Sequence, residues 1–183
     1  MSPVLIFAVI IIVIAIYIWS VYNGVVTARV RIREAWSGIE VQLKRRSSLI
    51  PNLIETVKGY AKHEKGIIKE VTDARKAMLS AGDLKGRMKA GNELQTALKS
   101  IFALAENYPQ LKANENFLQL QQELSAIEDK IAYSRQFYND SILSYNNSVE
   151  RIPGVIFASM FGKKEKEYVK LPEEQKSVPK VSF

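Results

Sequence analysis

From Val4 to Trp19 the chain reads VLIFAVIIIVIAIYIW, and no charged side chain appears before Arg29. With Pro3 at one end and Ser20, Val21 and Tyr22 at the other, the run is 20 residues long. As a helix it spans ~30 Å, about the hydrocarbon thickness of a bilayer. β-Branched residues lie on every face of it, so it lacks the polar stripe of a helix packed on a soluble core. Val4, Leu5, Ile6 and Phe7 lead the run. Tyr17, Trp19 and Tyr22 close it, at the level where amphipathic rings meet lipid headgroups. A cleaved signal peptide has a basic leader, a shorter apolar core and small residues at its cleavage site. Nothing basic precedes this run, bulky residues come after it, and no cysteine is present to carry a lipid. Residues 1–22 therefore read as a retained transmembrane anchor.

Beyond the anchor the apolar positions keep a helical period without strand alternation. A first soluble helix continues from the anchor, about Asn23 to Arg46, on the stripe Ile32, Trp36, Ile39 and Leu43. Ser47 and Ser48 offer caps to a second helix that reaches about Leu79, with Pro51 in its first turn. A third starts at Asp83 or, because Gly86 and Gly91 weaken that start, at Asn92, where Asn92-Glu-Leu-Gln95 reads as a capping box. Its stripe runs to Tyr108 and Pro109 ends it. The fourth runs from about Asn114 to Glu150, with Pro153-Gly154 beyond it. The expected fold is all-α: one transmembrane helix, then an antiparallel up-and-down four-helix bundle over residues 23–152. The alternative is three helices with a long first helix kinked at Pro51, because the stripe passes that proline without a slip.

Position-specific charge adds an orientation. Arg29, Arg31 and Arg33 lie just past the apolar run, which places the N-terminus outside and the bundle in the cytoplasm; an exported bundle is the alternative. An up-and-down bundle then returns residues 153–168 towards the membrane. Ile156, Phe157, Phe161, Lys163 and Lys164 would meet the headgroup boundary there, or else the apolar ones cap the open end of the core. Residues 169–183 are polar and proline-dotted and read as a disordered tail. The net charge of +7 is spread among interleaved signs, as on a solvated surface with some attraction to anionic headgroups.

Along the whole chain no catalytic or ligand-binding motif stands out. The lone histidine, His63, has Ile67 where a zinc-protease helix needs a second histidine and Tyr60 where a di-metal bundle needs glutamate. It reads as an exposed helical residue. No thiol nucleophile or glycine-rich phosphate loop is present. Glu128-Asp129 reads as part of a polar helix face with no reason for burial. Lys44-Arg45-Arg46 suits a helix C-terminus and carries no aromatic interleaving, so no nucleic-acid partner is expected. Trp36, Tyr60 and Tyr138 read as core packing. Asn52, Asn139 and Asn146 lie beside apolar stripes, where amides fix helix register; two of them facing one pocket with Arg135 would suit a small polar ligand. No metal or cofactor is called for.

Several short motifs occur in one order: Trp36-Ser37, Val41-Gln-Leu-Lys-Arg-Arg46, Leu49-Ile-Pro-Asn-Leu53, Glu55-Thr-Val-Lys-Gly-Tyr60, Glu106-Asn-Tyr-Pro109, Leu111-Lys-Ala-Asn114, Phe137-Tyr-Asn139, Phe161-Gly162 and Lys166-Glu-Tyr168. Together they strongly resemble the LemA family over residues 20–168. The resemblance implies a bacterial, single-pass protein of the cell membrane, with a small external N-terminus and a cytoplasmic four-helix bundle. It also implies structural roles for the motif residues Trp36, Arg45, Arg46, Pro51, Asn52, Tyr60, Tyr108, Pro109 and Asn139. It brings no catalytic residues, and its members are considered alongside membrane proteases and stress-related membrane proteins. Ser47-Ser48 departs from the acidic residue common before Leu-Ile-Pro, and serine caps comparably.

The expected function is a non-enzymatic scaffold, adaptor or assembly subunit at the cytoplasmic membrane face. Its partners would be the lipid bilayer, a membrane or cytoplasmic protein, and further copies of itself. The anchor has no Gly-x-x-x-Gly to specify a packing face. The alternative is a sensor or regulator that binds a ligand between helices and signals by helix shift.

Overall fold

The structure, a computed structural model, describes residues 2–160, 166, 168 and 169, excluding the side chains of Leu84, Phe157 and Met160. The described residues are all-α, with no strand. In chain order the helices are α1 (Pro3–Tyr60), α2 (Lys65–Ser80), α3 (Leu84–Ala105), the single turn α4 (Pro109–Lys112), α5 (Glu115–Glu150) and α6 (Gly154–Met160). The four long ones match the expected number of bundle helices, but their boundaries differ from the sequence reading.

The first difference is at Pro51. α1 is a single helix of 58 residues that runs through it, where the sequence suggested a turn and a second helix. A proline inside a helix supplies no N–H to the carbonyl four residues back. That carbonyl belongs to Ser47, which is buried, so an orphaned oxygen there would be costly. Arg75 of α2 supplies the missing donor, its Nε lying 3.0 Å from the Ser47 oxygen. The Ser48 hydroxyl donates to the Arg45 carbonyl at 2.8 Å instead of capping a new helix. Meanwhile Ile39, Leu43, Ile50, Leu53 and Val57 hold one continuous buried stripe across the proline. Tertiary support thus overrides the local helix-breaking preference.

Arg75→Leu should accordingly destabilise the protein by about 1–3 kcal/mol in denaturant unfolding, the cost of an orphaned buried acceptor. In a Pro51→Ala background, where an N–H at residue 51 serves Ser47, the same substitution should cost clearly less. Equal costs in both backgrounds would contradict the role given to Arg75.

The chain breaks instead at Ala61–Glu64, so Glu64 and the exposed His63 lie in a turn and not within a helix. This corner is tied from outside. The Tyr108 hydroxyl donates to Glu64 Oε1 at 2.8 Å, and Asn114 Nδ2 donates to the Tyr60 hydroxyl at 3.0 Å. The hydrogen bond to the Glu64 carboxylate, with some desolvation, raises the Tyr108 pKa.

α3 starts at the earlier of the two expected positions. Asp83 is its N-cap, accepting from the Gly86 N–H at 3.2 Å, which leaves Asn92 within the helix and removes the expected capping box. α3 ends at Ala105, before the expected Tyr108. Pro109 disfavours helical backbone in the residue before it, and Tyr108 sits at φ −126°, ψ 83° while Pro109 opens α4. Asn114 caps α5, its Oδ1 accepting from the Phe117 N–H at 3.0 Å. α5 then matches the expected fourth helix.

The chain forms two compact units, Met1–Gly38 with Ser134–Tyr168 and Ile39–Tyr133 with Val169–Phe183. In the second, α1, α2, α3 and α5 contribute a core that includes Ile50, Leu53, Val71, Leu94, Ile101, Phe117 and Ile131, each at most 1% exposed. Burying one such side chain is worth roughly 1.5–3 kcal/mol. Phe102 and Phe117 meet edge to face at 6.1 Å. Gly91 lets α3 approach α1 closely, since a Cβ there would lie 3.1 Å from Leu43 Cδ2. In the first unit Val25 and Ala28 of α1 pack with Tyr145 and Val149 of α5 and Ala158 of α6. Trp36 meets Tyr138 edge to face at 6.2 Å. Residues later in α1 thus meet residues earlier in α5, so the two helices run antiparallel.

Candidate membrane-facing site

Within the first unit, the apolar start of α1 is uncovered. Val4, Leu5, Ile6, Phe7, Trp19 and Tyr22 are all exposed, Val4 at 77% and Trp19 at 68%. α1 is the one described helix long and apolar enough to cross a membrane. Isolated exposed leucines need no explanation, but a contiguous apolar surface of this size requires a partner or a bilayer. The first buried side chain of α1 is Val25, within one turn of Tyr22, so packing begins where the apolar run ends. Arg29, Arg31 and Arg33 are exposed in the next two turns.

α6 lies against this exit point. Its Ala158 is 5% exposed and shares the cluster with Val25 and Ala28. Ile152 just before it and its own Val155 and Ile156 are turned outward, at 83%, 42% and 53% exposure. The segment therefore both closes the cluster and presents apolar side chains beside the end of the apolar run. Phe161, Lys163, Lys164 and the side chain of Phe157 lie outside the described residues. Beyond α6 the chain returns to α5: Asn146 Nδ2 donates to the Lys166 carbonyl at 3.1 Å, and the Lys166 N–H donates to Asn146 Oδ1 at 2.9 Å. Beside the end of the apolar run, a groove of about 440 Å³ of mixed character is lined by Val21, Val25, Thr27, Arg31, Ser144 and Ser148 among others.

Asn52 belongs to the second unit and Asn139 and Asn146 to the first. Asn146 is 6% exposed and clasps the chain at Lys166. Asn139 is half-buried, and Asn52 is exposed with its carbonyl accepting from the Thr56 hydroxyl at 2.9 Å. Arg135 is 2% exposed, and burial lowers its pKa from the usual guanidinium value. Tyr138 is raised by the same cause. Trp36 is half-buried against Tyr138, whereas Tyr60 is exposed at the corner between α1 and α2. Arg45 and Pro51 are exposed, and Pro109 is the first residue of α4.

Sequence reasoning missed a buried ion pair in the second unit. Arg46 is 1% exposed and not a solvated end-of-helix cation, and Glu128 is not on a solvated face. Arg46 pairs with Glu128 of α5 and donates from Nη1 to the Gly91 carbonyl of α3 at 3.3 Å. One guanidinium thus joins α1, α3 and α5. A signal was present in the chain: Ile39, Leu43, Arg46, Ile50, Leu53 and Val57 fall at alternating spacings of four and three, so Arg46 occupies a core position of its helix. Arg135 stands likewise between Ile131 and Tyr138 on α5.

Comparison with known proteins matches this sequence to a family. The LemA family matches residues 35–183. Magnetosome protein MamQ of Magnetospirillum gryphiswaldense is 27% identical over 173 residues, covering 80% of this chain and 64% of that protein. Magnetosome protein MamQ 2 of Paramagnetospirillum magneticum is 26% identical over the same shares. Protein LemA of Metamycoplasma hominis is 25% identical over 119 residues, 64% of this chain and 54% of that protein. This chain spans less than two thirds of the length of these relatives. By the extent of the family match, which includes most of α1 beyond the apolar run and all of α2 to α6, the chain belongs to the LemA family.

Proposed function

We propose that this LemA-family chain is a non-enzymatic scaffold, adaptor or assembly subunit, anchored through α1 with its bundle at the cytoplasmic face of the cell membrane. The observation that carries the reading is the continuity of α1. The uncovered apolar run and the buried stripe of the bundle belong to one unbroken helix from Pro3 to Tyr60. A bilayer around residues 1–22 would take up the exposed apolar surface, and Arg29, Arg31 and Arg33 favour the cytoplasmic side for the bundle beyond them. Ile152, Val155 and Ile156 add an apolar contact with the headgroup boundary in this reading. The buried charges Arg46 and Glu128 serve each other, which suits a structural role. Confinement to the membrane plane raises the effective concentration of the bundle against membrane partners. Exposed Phe137 and Leu143 of α5 offer apolar contact area to a protein partner or a second copy.

Crosslinking in native membranes with identification by mass spectrometry tests the proposal. A recurring protein partner, or contacts between copies, is the expected result, weakened by Phe137→Glu. A chain that crosslinks to neither would overturn it.

One observation favours the ligand-sensor alternative. A pocket of about 210 Å³ opens over the Arg46–Glu128 pair, with Gln95 and Gln121 on its walls beside the apolar Leu98, Phe102 and Leu124. A sensor predicts a polar small molecule that raises the unfolding temperature of the chain but not of a Gln95→Ala/Gln121→Ala variant. No such response across a library of polar metabolites would remove this reading.

A further inference from the structure

The corner between α1 and α2 gathers charge that the linear sequence disperses. Lys58 near the end of α1, Lys62 in the turn, and Lys65, Lys69 and Lys76 of α2 line one cleft of about 660 Å³. Asp73 is the single carboxylate among its lining residues. Lys58 lies 2.8 Å from Glu55. Among the described residues no carboxylate is in ion-pair range of Lys62, Lys65, Lys69 or Lys76. Lys65 and Lys69 stand four residues apart on α2, a spacing at which like charges on a helix repel. Asp73, four residues after Lys69 and three before Lys76, offsets only part of this positive charge. The corner beneath it is held by the Tyr108–Glu64 and Asn114–Tyr60 hydrogen bonds, so the cationic surface sits on a fixed frame.

The lining chemistry narrows the partner. No arginine lines the cleft, so the bidentate fork that selects phosphate is missing. No aromatic side chain lines it either, so nucleobases would find nothing to stack upon. The floor is apolar: half-buried Ile68, the Thr72 methyl and the aliphatic stems of the lysines. From Lys65 to Lys76 the cleft runs along α2 for ~16 Å, about three helical turns. We propose that this cleft docks an acidic amphipathic helix of a partner protein. One large apolar side chain of that helix would rest on Ile68, and carboxylates spaced along it would meet the lysine ammonium groups. The inference deepens the adaptor reading by giving the partner a chemistry and a place.

The test uses the full chain in neutral-lipid nanodiscs and a fluorescent helical peptide with glutamates at successive turns around a central leucine. Binding by anisotropy is expected at low salt and should weaken at high salt. It should drop about tenfold or more in Lys65→Glu/Lys69→Glu, in line with the loss of close charge pairs. It should drop similarly when the peptide leucine becomes alanine, and stay unchanged in the control Lys85→Glu/Lys130→Glu. The exchanged residues are exposed, and circular dichroism checks that each variant keeps its helices. No binding, or binding indifferent to Lys65 and Lys69, overturns the inference. Inorganic polyphosphate competing better than the leucine peptide also overturns it, assigning the cleft to a polyanion. Any of these failures leaves the adaptor reading standing if crosslinked partners map to other faces; absent crosslinks would remove that reading while the peptide still reports on the cleft.

Discussion

Glu128→Ala should destabilise the bundle by about 3 kcal/mol, read as a lower denaturant midpoint with an unchanged slope. Its partner Arg46 is 1% exposed and, without the carboxylate, would be an uncompensated buried cation. Breaking a buried pair in this way costs roughly 3–5 kcal/mol. The lower end applies because the Glu128 side chain keeps 22% exposure, so water can reach part of the vacated space. The hydrogen bond from Arg46 to the Gly91 carbonyl survives the substitution and tempers the loss further. Removing both charges should behave differently. Arg46→Met with Glu128→Leu replaces two desolvated ions with packing surface, and such replacements are often neutral or stabilising. The double variant should therefore recover most of the stability lost in Glu128→Ala. A single substitution costing under about 1 kcal/mol would show that the pair is not a buried junction of α1, α3 and α5.

The second large effect concerns the anchor. Each arginine at the centre of a membrane helix costs about 2.5–3.5 kcal/mol of insertion free energy, while each isoleucine it replaces contributes about −0.3 to −0.6. Ile11→Arg with Ile14→Arg therefore removes roughly 6–8 kcal/mol of insertion free energy. The double variant should leave the carbonate-resistant membrane fraction almost entirely, whereas Ile11→Leu with Ile14→Leu should remain in it. The bundle of the double variant should keep its helical signal, because none of the substituted side chains is covered by another part of the protein. An arginine variant that stays in the membrane pellet would mean that residues 1–22 are not what holds the chain there.

The sequence made the uncovered apolar run and the buried stripes legible because both are local patterns. Ile39 and Leu43 of the first stripe are buried as their spacing implied. The expected start of the fourth helix near Asn114 matches α5, where that asparagine caps the first turn. Pro51 was misread because its consequence depends on a residue 24 positions later. Local chemistry says that Ser47 loses a donor, and nothing local says that Arg75 provides another. The end of α1 moved to Tyr60 on the same ground, its corner being tied by Tyr108 and Asn114 from distant parts of the chain. Arg46 is a different kind of miss. It stands in the core register of α1, but finding its partner required knowing which face of α5 would meet it. The lysine cleft was hidden because Lys58 and Lys76 lie on different helices, so interleaved signs in sequence became a cleft with five lysines and one carboxylate.

The central claim is that α1 crosses the membrane once and holds the bundle on the cytoplasmic side. The absence of cysteine from the chain makes single-cysteine labelling free of background. Ser2→Cys and Lys130→Cys, each introduced alone, report on the two sides when intact cell-membrane vesicles of known orientation meet a membrane-impermeant maleimide. In right-side-out vesicles, labelling is expected at residue 2 without detergent and at residue 130 only after detergent. Labelling at residue 130 alone in intact right-side-out vesicles, or at both positions, would contradict the claim.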